Sequence, residues 1–348
     1  MLRLILLGAG VALGGLGAQA PEPQPPTFRA DVKLVTVLAT VKDARGAVIG
    51  GLGREDFTML VEGATQEIAV FERQTDRPLS VSLLFDASGS VAKERKFEQE
   101  AALRFLRSLL SAGANPADRV AVYHFSDAVD ETVRFTRSLA RLEQAVLAAH
   151  PGGGTSVYDA LYLAAQRLEN REGRKVIVAI TDGGDTTSRT TFAQSVEAAQ
   201  LAEAVVYSII VVPITNDAGR NLGGENALKT LSAATGGAAF RQYGETDLDQ
   251  SFRQIERDLR TQYLLAFYPR GVAAGTQRFR RLELRVNRPG LRAITRAGYF
   301  APPESSTSGY DPGVALPAAV PRERKTSPPA VPAGKKSAPR AATKGATP

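Results

Sequence analysis

The sequence contains no cysteine among its 348 residues. Structural disulfides, thiolate metal sites and a lipidated cysteine behind a leader are therefore all excluded. The rest of the composition is ordinary for a globular protein, with 43% apolar and 23% charged residues. The length is sufficient for two domains with sizeable cores.

Histidine is nearly as scarce, since the chain has only His124 and His150. His124 lies in an apolar segment and is interpreted as a packed core residue. His150 precedes Pro151 at a predicted helix end, where a cation suits the helix dipole, and a supporting role beside the nearby glycine-rich loop stays open. A hydrolase would need a base beside its nucleophile, or several histidines for zinc. The sequence therefore predicts that the protein is not an enzyme.

The excess of positive charge is concentrated at the carboxyl terminus. The net charge is +7, but residues 302–348 carry seven Lys or Arg against three Asp or Glu, and Arg3 lies in the leader. The remainder of the chain is close to neutral and has no excess of basic residues that would bind the phosphate backbone of a nucleic acid. No nucleic-acid partner is expected.

Residues 1–20 have the three parts of a secretory signal: one basic residue, an apolar run from Leu4 to about Gly17, and Ala18-Gln19-Ala20. The apolar run is short for a membrane span. Pro21 is unfavourable directly after a cleaved bond, so cleavage after Ala18 and retention of the leader as an anchor both stay open. We expect a bacterial protein that is secreted or periplasmic, and that is attached to a membrane only if the leader is retained.

Changes in composition and periodicity divide the remaining chain into five segments. They are a proline-rich linker (21–26), an N-terminal β-strand region (27–77), a region of alternating strands and helices (78–262), a C-terminal β-strand region (263–301) and a disordered tail (302–348). The tail is assigned as disordered because it contains ten prolines and no apolar periodicity.

The central segment predicts an α/β domain, because long apolar strands separated by helices form a mostly parallel sheet with helices on both faces. Its first helix is expected over about 92–112. The flanking segments contain too few strands to stand alone, so we expect 27–77 and 263–301 to pack together as a β-rich domain. Within the first of these segments, strands at 56–61 and 67–71 are expected to be joined through Glu62-Gly63.

The most informative stretch is Val81-Ser82-Leu83-Leu84-Phe85 followed by Asp86-Ala87-Ser88-Gly89-Ser90. A buried strand ends here at a carboxylate, and hydroxyl side chains follow at alternate positions. Oxygen ligands with a single negative charge suit a hard cation such as Mg²⁺. The stretch resembles the metal-ion-dependent adhesion site of von Willebrand factor A domains.

The resemblance extends over the whole order of strands and helices and implies a Rossmann-like fold with a metal site built from three loops. The family's Gly-Gly-Thr corresponds to Gly153-Gly154-Thr155, and its second aspartate corresponds to Asp182 in Thr181-Asp182-Gly183. In the family, the two serines bind the ion directly and the first aspartate acts mostly through water. The implied metal ligands are Asp86, Ser88, Ser90, Thr155 and Asp182, with Mg²⁺ as the ion and Mn²⁺ or Ca²⁺ as alternatives.

Asp56-Phe57 near the start and Arg296-Ala297-Gly298-Tyr299 near the end resemble a bacterial family of exported A-domain-related proteins. Other interpretations of the same residues are less favoured. The glycine-rich loop lacks the lysine of a phosphate-binding P-loop. Asp159, Asp185 and Ser188 are interpreted as structural side chains near helix starts and turns.

Two carboxylates and three hydroxyls would leave a divalent ion formally neutral, with one coordination position held by water. A carboxylate from a partner protein could replace that water. We therefore expect metal-dependent protein binding through a partner Asp or Glu, in adhesion or complex assembly, and no small-molecule substrate. Two alternatives stay open: a metal site that only stabilises the fold, and an accessory subunit of an ATP-driven machine, which the export signal disfavours.

Overall fold

The computed structural model describes residues 34–73, 77–89, 91, 94–149, 151–212, 221–270 and 278–301. The leader, the proline-rich linker, the tail, Ser90 and His150 lie outside the described residues, so the predictions that concern them are not addressed by the structure. No helix in the described part of the chain is long and apolar enough to cross a membrane.

The described chain is built from strands and helices in the following order. The strands are β1 (Val35–Lys42), β2 (Phe57–Val61), β3 (Ala64–Gln66), β4 (Ile68–Arg73), β5 (Leu79–Asp86), β6 (Arg119–Phe125), β7 (Val129–Thr136), β8 (Arg174–Thr181), β9 (Ala204–Val211), β10 (Ala239–Gln242), β11 (Tyr263–Phe267), β12 (Phe279–Val286), β13 (Arg292–Thr295) and β14 (Gly298–Phe300). The helices are α1 (Arg95–Leu109), α2 (Leu139–Leu147), α3 (Val157–Glu169), α4 (Phe192–Leu201), α5 (Leu222–Thr235) and α6 (Glu245–Arg260).

The central sheet has six strands in the order β10-β9-β8-β5-β6-β7. The first five are parallel, and β7 pairs antiparallel with β6 at the edge. Strands β5 and β9 are buried at every position, as expected for strands covered on both faces. Successive side chains alternate between the two faces, so that Leu83 packs into one core and Leu84 into the other.

Helices cover both faces of this sheet. Apolar side chains of α1, α2 and α6 pack against one face, and those of α3, α4 and α5 against the other. The predicted fold class is therefore confirmed. The first helix is shorter than expected: α1 begins at Arg95 and ends at Leu109.

Two antiparallel sheets combine strands from both ends of the described chain. One has the order β13-β1-β11-β4 and the other β14-β12-β2-β3. Their side chains meet in a common apolar core that includes Val37 and Leu265 from the first sheet and Met59 and Leu284 from the second. The amino-terminal strands thus obtain the partner sheet that their number required.

One turn in this region differs from the expectation. Glu62 and Gly63 both have positive φ angles, of 48° and 82°, and connect β2 to the short strand β3. The turn was expected to lead directly to the strand now seen as β4. Two consecutive positive φ angles produce the tight hairpin turn that lets a chain return immediately along its own strand, and this adds a strand that the sequence pattern did not show.

Candidate metal centre

Asp86 is the last residue of β5, at the carboxyl edge of the central sheet, and is only 1% exposed. Its Oδ1 accepts a 2.8 Å hydrogen bond from the backbone N–H of Ser88, and the Ser88 hydroxyl also bonds to this carboxylate. Its Oδ2 accepts a 2.6 Å hydrogen bond from Thr181 Oγ1, at the end of neighbouring β8. Asp86 therefore connects the loop that follows β5 to the loop that follows β8.

The glycine-rich loop before α3 joins both of these loops. The Gly152 N–H donates to the Ala87 carbonyl at 3.1 Å, and a parallel bridge pairs Gly152 with Ser88. On its other side, the Thr155 N–H donates to Thr186 Oγ1 at 2.9 Å, and the Thr186 N–H donates to the Thr155 carbonyl at 2.8 Å. Each of the three loops is thus hydrogen-bonded to the other two.

The glycines of this loop are required by close contacts. A Cβ on Gly152 would lie 2.2 Å from Ser126 Oγ, and a Cβ on Gly154 would lie 2.5 Å from Asp127 Oδ1. Both distances are shorter than a van der Waals contact allows. Only glycine lets this loop lie directly against the end of β6.

Asp127 is a functional candidate that the sequence analysis missed. Its Oδ2 accepts a 2.8 Å hydrogen bond from the Gly153 N–H, and its carbonyl accepts one from Ser156 Oγ at 3.1 Å. It follows β6, whose carboxyl end lies at the same edge of the sheet as that of β5. The general rule that ligands and loops gather at this edge would have singled it out.

Asp159 and Asp185 hold the third loop against α3. The Asp159 carboxylate accepts hydrogen bonds from the backbone N–H groups of Arg189 and Thr190, at 3.1 and 2.7 Å. Asp185 Oδ1 accepts from Ser188 Oγ at 2.5 Å and from the Tyr158 N–H at 3.3 Å. These contacts give both carboxylates a positioning role behind the loop.

Two residues of α1 face this edge and were also missed. Arg95 Nη2 donates to the carbonyls of Ala87 and Ser88 at 3.2 and 3.1 Å, which fixes the backbone between the candidate ligands. Glu98 is 2% exposed, and neither of its carboxyl oxygens has a hydrogen-bond partner among the described residues. Its position on the buried face of a helix gave no sequence signal that distinguished it from an exposed glutamate.

The electrostatics of this edge favour a cation. Burial raises the pKa of Asp86, and the nearby carboxylate of Asp182 raises it further. Burial also raises the pKa of Glu98 well above its ordinary value, with Asp86 as the next contributor. A bound divalent ion would oppose both effects by supplying positive charge among acidic groups.

The donor set fits such an ion in its chemistry. Asp86, Ser88 and Thr155 are buried at the carboxyl edge, and Asp182 is half-buried, with its Oδ1 accepting from the Gly184 N–H at 3.0 Å. Within the described residues, no group of three or more His, Cys, Asp or Glu is arranged to hold a metal. Binding here would therefore depend on the hydroxyl oxygens as well as the carboxylates, as hard cations permit.

Residues 81–184 match the family profile described as the von Willebrand factor type A domain. The chain contains a von Willebrand factor type A domain. The match begins within β5 and ends just beyond Asp182, so all the candidate ligands lie inside it.

Several solved structures are similar to the chain that carries this A domain. BatB from Bacteroides thetaiotaomicron is 17% identical, with 53% of this chain and 100% of that chain covered and a TM-score of 0.41. A von Willebrand factor type A protein from Catenulispora acidiphila is 13% identical, with 79% and 75% covered and a TM-score of 0.45. The PilB minor pilin from Streptococcus sanguinis, as its D319A mutant, is 15% identical, with 54% and 62% covered and a TM-score of 0.43.

The chain thus spans less than two thirds of the length of that pilin. At these identities and TM-scores, no activity or partner of those proteins transfers to the A domain described here. A comparison with curated proteins found no significant match.

Proposed function

We propose that this protein is exported and binds a partner protein through a divalent cation held at the carboxyl edge of its A domain. The cation would accept an Asp or Glu carboxylate from the partner, in adhesion or in assembly of a complex at the cell envelope. The observation that carries the proposal is the set of hydrogen bonds joining the loops of Asp86, Thr155 and Asp182 pairwise at one edge of the sheet.

The charge balance of the donor set explains why a carboxylate is the expected ligand. Two carboxylates neutralise a divalent ion, whereas the hydroxyls of Ser88 and Thr155 add oxygen ligands without charge. An ion held in this way remains attractive to a further anionic oxygen. Mg²⁺ fits this role because it retains water that an incoming ligand can replace, and Mn²⁺ or Ca²⁺ would suit the same oxygen donors.

A purely structural role for the ion is the alternative, and the contacts disfavour it. The loops are already tied by protein hydrogen bonds, among them Thr181 to Asp86 and Thr155 to Thr186. An ion is therefore not needed to bring the loops together. Removal of the ion is therefore expected to abolish partner binding and to change the melting temperature only slightly.

The experiment uses arrayed peptides that differ only in Asp or Glu against Asn or Gln, probed with the full chain in Mg²⁺ and in EDTA. We expect binding to acidic peptides alone, in Mg²⁺ alone, and its loss in Asp182→Ala. The matched control is Glu283→Ala, which removes an exposed carboxylate from β12 in the antiparallel sheets.

Each result bears on a particular part of the proposal. Binding that persists in EDTA and in Asp182→Ala would refute a metal-dependent contact. A large fall in melting temperature on removing the metal, with peptide binding unaffected in Asp182→Ala, would favour the structural role instead. Fractionation of cells that express the chain with its leader tests export, and recovery in the cytoplasm would contradict that part of the proposal.

A further inference from the structure

A separate cavity of about 450 Å³ lies at the opposite end of the central sheet from the candidate metal centre. It is lined by Pro78, Arg174 and Ala204, which lie at the amino ends of β5, β8 and β9. Since an eight-residue strand spans roughly 25 Å, the cavity and the carboxyl edge are well separated. Thr36 and Leu264 from the antiparallel sheet complete its wall.

The side chains around this cavity are predominantly basic. Among the described residues that line it, five are basic and two are acidic. The basic residues are Arg77, Arg171, Arg174, Lys175 and Arg296, and the acidic ones are Glu172 and Glu203. Arg77 is already paired with Glu72, so the excess comes from the other four basic side chains. This excess is local, because the chain outside its leader and tail is close to neutral.

Arg296 is built into the wall rather than lying on the surface. It is 7% exposed, and its Nη2 donates to the Thr36 carbonyl at 2.6 Å. Its single acidic contact among the described residues is Glu203, at 3.5 Å and partly exposed, and its Nε has no hydrogen-bond partner among them. Burying a guanidinium in this way is costly unless an anion accompanies it.

Arg171 presents a second positive charge that neutral groups hold in place. Its Nε donates to Ser80 Oγ at 3.0 Å, and its guanidinium lies 4.8 Å from the centre of the Phe135 ring. Stacking on an aromatic ring fixes the plane of a guanidinium while its N–H edges remain able to donate. The side chain is thus pre-positioned for an oxyanion.

We propose that this cavity binds a small molecule carrying two or more negatively charged oxygen atoms, as phosphate or carboxylate groups. Guanidinium groups donate paired hydrogen bonds to both phosphate and carboxylate oxygens, so the same arginines could recognise either group. The site does not depend on the proposed metal centre, since it uses none of the same residues and lies at the other end of the strands.

The test is calorimetric titration of the full chain in metal-free buffer, with inorganic pyrophosphate and malonate as the two probes. We expect one-to-one binding of at least one probe. The probe that binds more tightly shows whether the cavity prefers phosphate or carboxylate groups. Arg171→Gln should weaken binding about tenfold, because one charge-assisted hydrogen-bonding group is lost. Arg141→Gln, on the exposed part of α2, removes the same charge elsewhere and should leave binding unchanged.

A gain-of-affinity variant separates this effect from misfolding. Glu203→Gln removes the carboxylate beside Arg296. Because that carboxylate would repel a bound anion, its removal should tighten binding several-fold. If Arg171→Gln and Arg141→Gln weakened binding equally, binding would depend only on the net charge of the protein, and the proposed site would be refuted. Failure of both probes to bind at millimolar concentration would refute it as well, and loss of binding in Asp182→Ala would place the anion at the other edge.

Discussion

Thr181 Oγ1 donates a 2.6 Å hydrogen bond to Asp86 Oδ2, and both residues are buried at the ends of adjacent parallel strands. The same Thr181 oxygen accepts from the Gly183 N–H at 3.1 Å. One hydroxyl thus orients the carboxylate of Asp86 and the backbone turn that carries Asp182. The geometry of both candidate carboxylate ligands depends on a residue that is not itself a ligand.

The first prediction concerns this hydroxyl. Thr181→Val keeps the shape of the side chain and removes the donor, so a buried carboxylate oxygen loses its partner. Unfolding free energy from urea denaturation should fall by about 1–3 kcal/mol. Thr65→Val on the exposed side of β3 is the control and should change it by no more than about 0.5 kcal/mol. Equal effects in the two variants would show that the Thr181 bond contributes nothing specific.

The second prediction concerns the buried Glu98 and its pH dependence. The pKa of its carboxyl is raised in the folded protein, mainly by burial. Unfolding therefore releases protons, and the metal-free protein should lose stability as the pH rises above the ordinary glutamate pKa of about 4.3. Glu98→Gln removes this loss, so it should stabilise the metal-free protein at pH 7 and have little effect at pH 4.

Urea denaturation of both proteins across this pH range measures the effect. Partly exposed Glu143 on α2 provides the control, because Glu143→Gln alters a surface ion pair with Arg107 and not a buried, unpartnered carboxyl. A Glu98→Gln variant that is destabilised by the same amount at every pH would contradict the assigned burial penalty.

The third prediction concerns the contact between the glycine-rich loop and the end of β6. Gly154→Ala would place a methyl group 2.5 Å from Asp127 Oδ1 and 2.6 Å from Thr187 Cγ2. Either the loop or these two side chains must shift, at a cost of about 1–3 kcal/mol, and metal affinity should fall as a result. Gly113→Ala has no atom within 4 Å of the added methyl group and is the matched control. Calorimetric titration with Mn²⁺ and thermal melting give both readouts, and unchanged metal affinity in Gly154→Ala would separate this loop from the ion.

The fourth prediction concerns the link between the two layers of the fold. Lys42 Nζ on β1 lies 3.0 Å from Asp258 Oδ2 on α6, with side-chain exposures of 10% and 3%. Lys42→Met leaves the Asp258 carboxylate buried without its cation and should cost about 3–5 kcal/mol in unfolding free energy. The double variant Lys42→Met with Asp258→Leu should recover much of that loss, since no charge remains unpaired. A double variant as unstable as the single one would show that shape, not charge, governs this contact.

Much of the fold was predictable from local pattern. The apolar strands β5, β8 and β9 and the helices between them follow from periodicity, because a strand covered on both faces needs apolar side chains at nearly every position. The prediction of helix α1 was too long at both ends, since the sequence pattern carries little information about where a helix stops.

The candidate metal centre was predictable for a related reason. Asp86, Ser88, Thr155 and Asp182 each stand in a recognisable loop motif at a strand end or helix start, and parallel strands bring their carboxyl ends to one edge. Their roles as ligands remain a prediction. The side chains that support these loops were not predictable in this way. Asp127, Glu98 and Arg95 belong to no recognisable sequence motif, and only their contacts in the folded protein place them beside the candidate ligands.

Sequence by itself determined the α/β layering and the positions where oxygen donors leave the central strands, because both depend on short-range alternation and on residue type. Tertiary structure alone decided that Glu98 is buried beside Asp86 and that Arg296 meets Thr36 and Glu203 at the other end of the sheet. Those contacts join distant parts of the chain, and their energy comes from burial and charge at sites that exist only after the layers have packed.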